Sequence, residues 1–109
     1  MSLRNRIIFL MIMLPMLIFG ATTGKIAGTV TNEATGEPLA GANVIVTGTS
    51  LGAAADMNGY YSILNIPPGK YTVRVSMMGY QTIVQKEVTV MVDLTTTLNF
   101  SLSPQTLQG

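Results

Sequence analysis

Histidine, cysteine and tryptophan are absent from the 109 residues of this chain. Without histidine and cysteine, the Ser-His and Cys-His pairs of covalent catalysis cannot form, and zinc sites of the Cys/His type are excluded. Disulfides cannot hold the fold either, so it must depend on a hydrophobic core. No histidine base is available to any of the serines that follow the N-terminal segment: Ser50, Ser62, Ser76, Ser101 and Ser103.

Charge of either sign is also scarce, with six Lys and Arg residues against five Asp and Glu residues. Arg4 and Arg6 lie in the N-terminal segment, and without them four cations face five anions. This balance gives neither the basic footprint of a nucleic-acid-binding protein nor a polybasic patch for anionic lipid. We therefore expect no nucleic acid and no cofactor among the ligands of the chain.

The first 21 residues have the three-part layout of a secretory signal peptide. A short basic start is followed by an apolar run at residues 7–19 and by the small residues Gly20 and Ala21, and we expect cleavage after Gly20 or after Ala21. The competing interpretation is a transmembrane anchor, but a spanning helix needs about 20 apolar residues, and this run has 13 with Pro15 inside it. No cysteine follows for a lipoprotein anchor. We expect an exported protein of the periplasm or outer membrane of a Gram-negative bacterium.

From Lys25 onward the apolar residues recur with a period of two, which is typical of antiparallel strands with one buried and one exposed face. β-branched residues and tyrosine are frequent in these segments, as strands prefer. About seven short strands separated by turn signals indicate an all-β sandwich. The residues expected to face its core include Ile26, Val30, Ala42, Val44, Val46, Tyr61, Ile63, Tyr71, Val73, Val75, Val88, Val90, Leu98, Phe100 and Leu102.

The breaks between these segments are predicted to be structural turns. Gly36 ends a polar turn and can adopt positive φ at little cost. Asp56 can accept backbone hydrogen bonds, while Asn58 and Gly59 suit left-handed positions. A third turn is formed by residues that no central strand could contain, namely Pro67, Pro68 and Gly69.

Five motifs in order carry a resemblance to a known family. They read GKIAGTVT (24–31), TGEPLAGANV (35–44), GTSLG (48–52), DMNGYY (56–61) and PPGKY (67–71). Together they resemble the carboxypeptidase regulatory-like domain. The resemblance implies a seven-stranded, prealbumin-like (transthyretin-like) Greek-key sandwich over residues 22–103, also grouped with carbohydrate-binding-like folds, with residues 104–109 as the start of a linker.

The chain looks most like the copy of this domain at the N-terminus of TonB-dependent outer-membrane receptors. The resemblance implies a non-catalytic periplasmic accessory domain that contacts the plug and barrel of a parent receptor or its energy-transducing partner. It would meet the membrane only through a barrel outside these 109 residues, so the chain would be a receptor fragment. The alternative is a free-standing exported module that binds carbohydrate or a surface protein.

The stretch before the last strand departs from the family pattern. Relatives usually have a polar, glycine-containing turn there, whereas this chain has Met91 and Val92 beside Asp93. An apolar turn is exposed unless something covers it, so these two residues are either a rearrangement within the fold or a partner contact.

Two other ligand classes are argued against by the residues. Asp56 and Asn58 could begin a calcium loop, but no bidentate glutamate follows at the required distance, so a structural turn is favoured. Tyr60 and Tyr80 could stack on a sugar ring, although sandwiches that bind sugars usually present several aromatic residues. Glu33 and Glu37 flank a turn and are expected to be solvated rather than a catalytic carboxylate pair.

Overall fold

The computed structural model describes residues 22–105, so the predicted signal peptide, including Gly20 and Ala21, lies outside the described residues. Eight strands form in this range, most of them with alternating apolar residues, and no helix occurs in it. The strands are β1 (Gly24–Asn32), β2 (Asn43–Val46), β3 (Gly52–Ala54), β4 (Tyr60–Ile66), β5 (Gly69–Ser76), β6 (Ile83–Val90), β7 (Thr95–Thr97) and β8 (Phe100–Leu102).

Two four-stranded sheets form the sandwich. In the first sheet, β1 lies between β4 and the β7–β8 segment; in the second, the order is β3-β2-β5-β6. β1 pairs with β4 in antiparallel orientation, and every pair in the second sheet is antiparallel. The prediction of an all-β sandwich is confirmed.

The core lies between the two sheets and is built from the inward residues of the period-two pattern. Ile26 and Val30 of β1, Val44 and Val46 of β2 and Val73 and Val75 of β5 are fully buried. The expected core residues Tyr71 and Leu98 are only partly buried and pack against the rim of this cluster. Within residues 22–105 no polar or charged residue is buried, so hydrophobic burial is the main stabilising term.

The last predicted strand differs from expectation in two ways. It divides at Leu98 and Asn99 into β7 and β8, and both parts run parallel to β1 rather than antiparallel. The break arises over Gly28, where a Cβ atom would lie 1.8 Å from the Leu98 carbonyl oxygen. The missing side chain of Gly28 thus lets the chain bend toward β1, and the Ala27 carbonyl and the Tyr61 hydroxyl hold Leu98 there through hydrogen bonds of 2.9 and 2.6 Å.

Candidate interaction surfaces

The turn at residues 56–59, here called the Asp56 turn, is closed by its own side chain. Asp56 Oδ1 accepts hydrogen bonds from the backbone amides of Asn58 and Tyr60 at 2.9 and 3.0 Å. Gly59 has a φ of 81° and donates its amide to the Asp56 carbonyl at 2.9 Å. The carboxylate is therefore committed to the backbone, and within residues 22–105 no three acidic side chains gather around a common point where a metal ion could bind.

The other predicted turn residues lie at two separate places. Gly36 has a φ of 79° and donates its amide to the Asn32 carbonyl at 2.7 Å, at the end of β1. Pro67 and Pro68 join β4 to β5, whose first residue is Gly69, and the Pro67 carbonyl accepts a hydrogen bond of 2.6 Å from the Tyr71 hydroxyl. Glu33 and Glu37 are both exposed, and Glu33 accepts a hydrogen bond from the Ser103 hydroxyl.

The four tyrosines have different environments. Tyr61 is buried, its hydroxyl donates to the Leu98 carbonyl, and burial raises its pKa above the ordinary value. Tyr80 packs against the edge of the core, and its hydroxyl accepts a hydrogen bond of 3.2 Å from Asn32. Tyr60 lies on the outer face of the first sheet with 58% of its surface exposed. Tyr60 and Tyr80 therefore have different roles, and only Tyr60 presents its ring to solvent.

Met91 and Val92 occupy the turn between β6 and β7, where they are 55% and 41% exposed. Leu94, in the same turn, and Leu64, at an outward position of β4, are also more than half exposed. Leu64 and Leu94 line one cavity of about 250 Å³ beside the start of β1. We call these four side chains the apolar tip, because Met91, Val92 and Leu94 belong to one turn and Leu94 lines the same cavity as Leu64.

Backbone contacts hold the apolar tip against the start of β1. The Asp93 amide donates to the Thr23 carbonyl at 3.0 Å, and the Lys25 amide donates to the Leu94 carbonyl at 3.1 Å. A Cβ atom on Gly24 would lie 2.2 Å from the Met91 carbonyl oxygen, so the two segments approach as closely as a glycine allows. The tip is consequently a fixed surface rather than a loose loop.

The apolar tip and the end of the described chain lie at opposite ends of β1. The C-terminal end of β1 pairs with Leu102, and Gln105 donates its amide to the Gly79 carbonyl close by. At about 3.3 Å per residue, the nine residues of β1 separate the two ends by roughly 26 Å. Gln105, the last described residue, therefore lies far from the tip.

Sequence reasoning singled out two of the four tip residues and missed the others. The alternation with Tyr61 and Ile63 places Leu64 on the outward face of its strand, and a large apolar residue at an outward position is the signal that identifies it. Leu94 carried no comparable signal, because only the three-dimensional packing brings it beside Leu64.

The comparisons with known proteins agree with this fold. The family model described as CarboxypepD_reg-like domain matches residues 26–109. A structure of a type II cohesin–X-dockerin complex from Acetivibrio cellulolyticus has a chain that is 30% identical, with a TM-score of 0.59 over 74% of this chain and 55% of its own length. None of the curated proteins compared with the sequence matches it.

Two further solved structures share the fold at lower identity. The Bacillus anthracis TIE protein is 21% identical with a TM-score of 0.61, over 76% of this chain and 17% of its own length. A candidate carbohydrate-binding protein of Bacteroides uniformis is 21% identical with a TM-score of 0.57, over 73% of this chain and 41% of its own length. The chain therefore spans about half, or less, of the structures that it resembles. Among residues 22–105 no helix is long and apolar enough to cross a membrane.

Proposed function

We propose that the chain, which belongs to the carboxypeptidase regulatory-like domain family, is the N-terminal periplasmic domain of a TonB-dependent outer-membrane receptor. The fold of this family is that of non-catalytic binding and regulatory-like β-sandwich domains. Its role there is protein–protein contact rather than catalysis. The observation that carries this proposal is the apolar tip, an exposed apolar surface on a domain with no polar or charged residue buried within residues 22–105.

The sequence around the domain supports this assignment. A basic start, a 13-residue apolar run and small residues precede the domain, as expected for export to the periplasm. The polar residues after Leu102 suit the start of a linker toward a plug and barrel. The lack of a charged cluster at the tip argues against a nucleic-acid or phosphate ligand.

The position of the tip favours one of the two expected partners. The linker starts at the opposite end of the sandwich, roughly 26 Å away along β1. A plug reached through that linker would meet the far end of the domain first. The tip is thus better placed for a separate polypeptide, and we assign it to the energy-transducing partner of the receptor.

The energy available from this contact is sufficient for a transient interaction. Full burial of an exposed large apolar side chain contributes about 1.5–3 kcal/mol. Each tip side chain is about half exposed, so covering that exposed half contributes on the order of 1 kcal/mol per side chain. Four such side chains fit the small interfaces of weak signalling encounters better than those of permanent complexes.

An antibody against the domain, used on fractionated cells of the source organism, tests the assignment to a receptor. We expect a band several times larger than the chain in the outer-membrane fraction. A band no larger than the 11.6 kDa of the whole chain, in the soluble periplasmic fraction, would contradict it and support a free-standing exported module.

A further inference from the structure

The outer face of the first sheet carries a shallow groove that is distinct from the apolar tip. It has a volume of about 320 Å³ and crosses three elements, β4, β1 and the β7–β8 segment. We call it the Tyr60 groove. It is lined by Ala27, Gly28, Thr29, Tyr60, Tyr61, Ser62, Thr97 and Asn99.

Strand register arranges the groove in two rows. In one row the small side chain of Ala27 lies between Ser62 on β4 and Thr97 on β7. In the next row Thr29 pairs with Tyr60 on one side and binds Asn99 on the other. With strands about 4.8 Å apart, each row is roughly 10 Å wide. Ala27 forms the floor because its neighbours in both directions are larger.

Polar groups along the rim have unused hydrogen-bonding capacity. Within residues 22–105 the hydroxyls of Tyr60, Ser62 and Thr97 make no side-chain hydrogen bond. Asn99 Oδ1 accepts from the Thr29 amide and hydroxyl at 3.0 and 3.2 Å. These two bonds direct Oδ1 toward Thr29 and leave the Nδ2 group of Asn99 available as a donor.

The break between β7 and β8 keeps Asn99 in position. Leu98 is held by Ala27 and Tyr61, and the close approach over Gly28 gives the bend no room to shift. A donor that is already held in place loses little conformational entropy when a ligand binds. The groove is therefore preorganised at this rim.

The chemistry of the lining selects a class of ligand. No charged residue lines the groove, so it lacks the cations that phosphate groups, nucleic acids or acidic peptides need. It combines an aromatic ring, 58% exposed, with neutral hydroxyl and amide groups. A sugar ring has the matching surfaces: an apolar C–H face for the tyrosine and hydroxyl edges for the polar rim.

The scarcity of aromatic residues argues against a sugar ligand, but the neutral polar rim beside Tyr60 outweighs it, and we infer that the Tyr60 groove binds a neutral oligosaccharide. Tyr60 supplies the stacking platform, and Ser62, Thr97 and Asn99 supply the hydrogen bonds at the rim. The inference goes beyond the proposed role at the apolar tip and does not depend on it. The two surfaces share no lining residue, although they adjoin where Leu64 follows Ser62 on the outward face of β4.

Titration of the exported protein with neutral hexasaccharides of glucose, mannose, galactose and xylose, followed by calorimetry, tests the inference. We expect at least one to bind with a Kd of millimolar or below, and Tyr60→Ala to weaken that binding about tenfold or more. Tyr60→Phe keeps the ring and should weaken it only a few-fold. Ser62→Ala with Thr97→Ala should also weaken binding.

The matched control is Val84→Ser, a substitution at a half-exposed position on β6 in the other sheet, which should leave affinity unchanged. Thermal unfolding of every variant separates loss of the site from loss of the fold. The inference is overturned if no neutral hexasaccharide binds, if only charged polysaccharides such as polygalacturonate bind, or if folded Tyr60→Ala binds as tightly as the unaltered protein.

Discussion

Two turns of this domain show how differently the same fold treats its loops. The Asp56 turn satisfies its own backbone, because a carboxylate accepts two amides and a glycine takes the left-handed position. The turn at residues 91–94 is held by backbone bonds to the start of β1, while its apolar side chains project into solvent. The first turn uses its side chains to specify the fold; the second leaves its side chains available for contact.

The two turns predict different effects of substitution, on the free energy of unfolding in one case and on association in the other. Side chains of the Asp56 turn and of the core should affect the free energy of unfolding. Side chains of the apolar tip should affect association and leave stability nearly unchanged.

Gly59→Ala should have the largest effect. Its φ of 81° is unfavourable for alanine, and the added Cβ would lie 2.7 Å from the Val30 carbonyl oxygen and 2.9 Å from Pro38 Cβ. Backbone strain and overpacking together should lower the free energy of unfolding by about 3 kcal/mol or more. Gly36→Ala is the matched control, since its φ is 79° with nothing within 4 Å, and it should cost about 1 kcal/mol. Equal shifts of the two urea midpoints would show that packing around the Asp56 turn does not matter.

Asp56→Ala should rank second. It leaves the amides of Asn58 and Tyr60 without their acceptor, as loss of a helix N-cap does, and should cost about 1–2 kcal/mol in urea unfolding. Asp56→Asn keeps one acceptor oxygen and should lose less. The control in the other turn is Asp93→Asn, since the Asp93 carboxylate accepts no hydrogen bond within residues 22–105. If Asp93→Asn lowered the free energy of unfolding as much as Asp56→Ala, the contrast between the two turns would be wrong.

Tyr61→Phe should cost about 1 kcal/mol, because the Leu98 carbonyl loses a hydrogen bond at the break between β7 and β8. The pH dependence gives a second readout. Burial raises the pKa of Tyr61 in the folded state, so its contribution is intact below the unfolded pKa of about 10 and is lost as pH rises above it. Unfolding measured from pH 8 to 11 should show a steeper alkaline loss in the unaltered protein than in Tyr61→Phe, and parallel curves would contradict this assignment.

Met91→Ser combined with Val92→Ser should change the free energy of unfolding by less than about 0.5 kcal/mol, as is usual for exposed positions. The same variant should lose association with the partner, because the tip no longer offers an apolar surface. Asn58→Ser, at an exposed position of the Asp56 turn, is the control for association. A double variant that is destabilised by 2 kcal/mol or more would show that Met91 and Val92 serve the fold instead.

Much of the fold is predictable from the sequence because it depends on local patterns. The period of two places Ile26, Val44 and Val73 on inward faces, where they are fully buried. Asp56 and Gly59 are recognisable from residue type alone, because a carboxylate can accept backbone amides in a turn and glycine can adopt positive φ.

The break after β7 and the two binding surfaces depend on contacts between distant residues. The sequence pattern continues through Leu98 without interruption, and only the approach of Gly28, seventy residues earlier, creates the bend and positions Asn99. The sequence alternation shows that Leu64 points outward but not that it lies beside Leu94. Likewise, Ser62 and Thr97 come to flank one groove only because both pair with Ala27.

The assignment of the apolar tip to a protein partner can be tested most directly by photo-crosslinking in living cells. A benzophenone amino acid placed at Val92, and in parallel at Asn58, would report what touches each turn, with the adducts identified by mass spectrometry. We expect the Val92 probe to give an adduct with the energy-transducing protein and the Asn58 probe to give none. Absence of that adduct, or the same adduct from both positions, would contradict the proposed role of the tip.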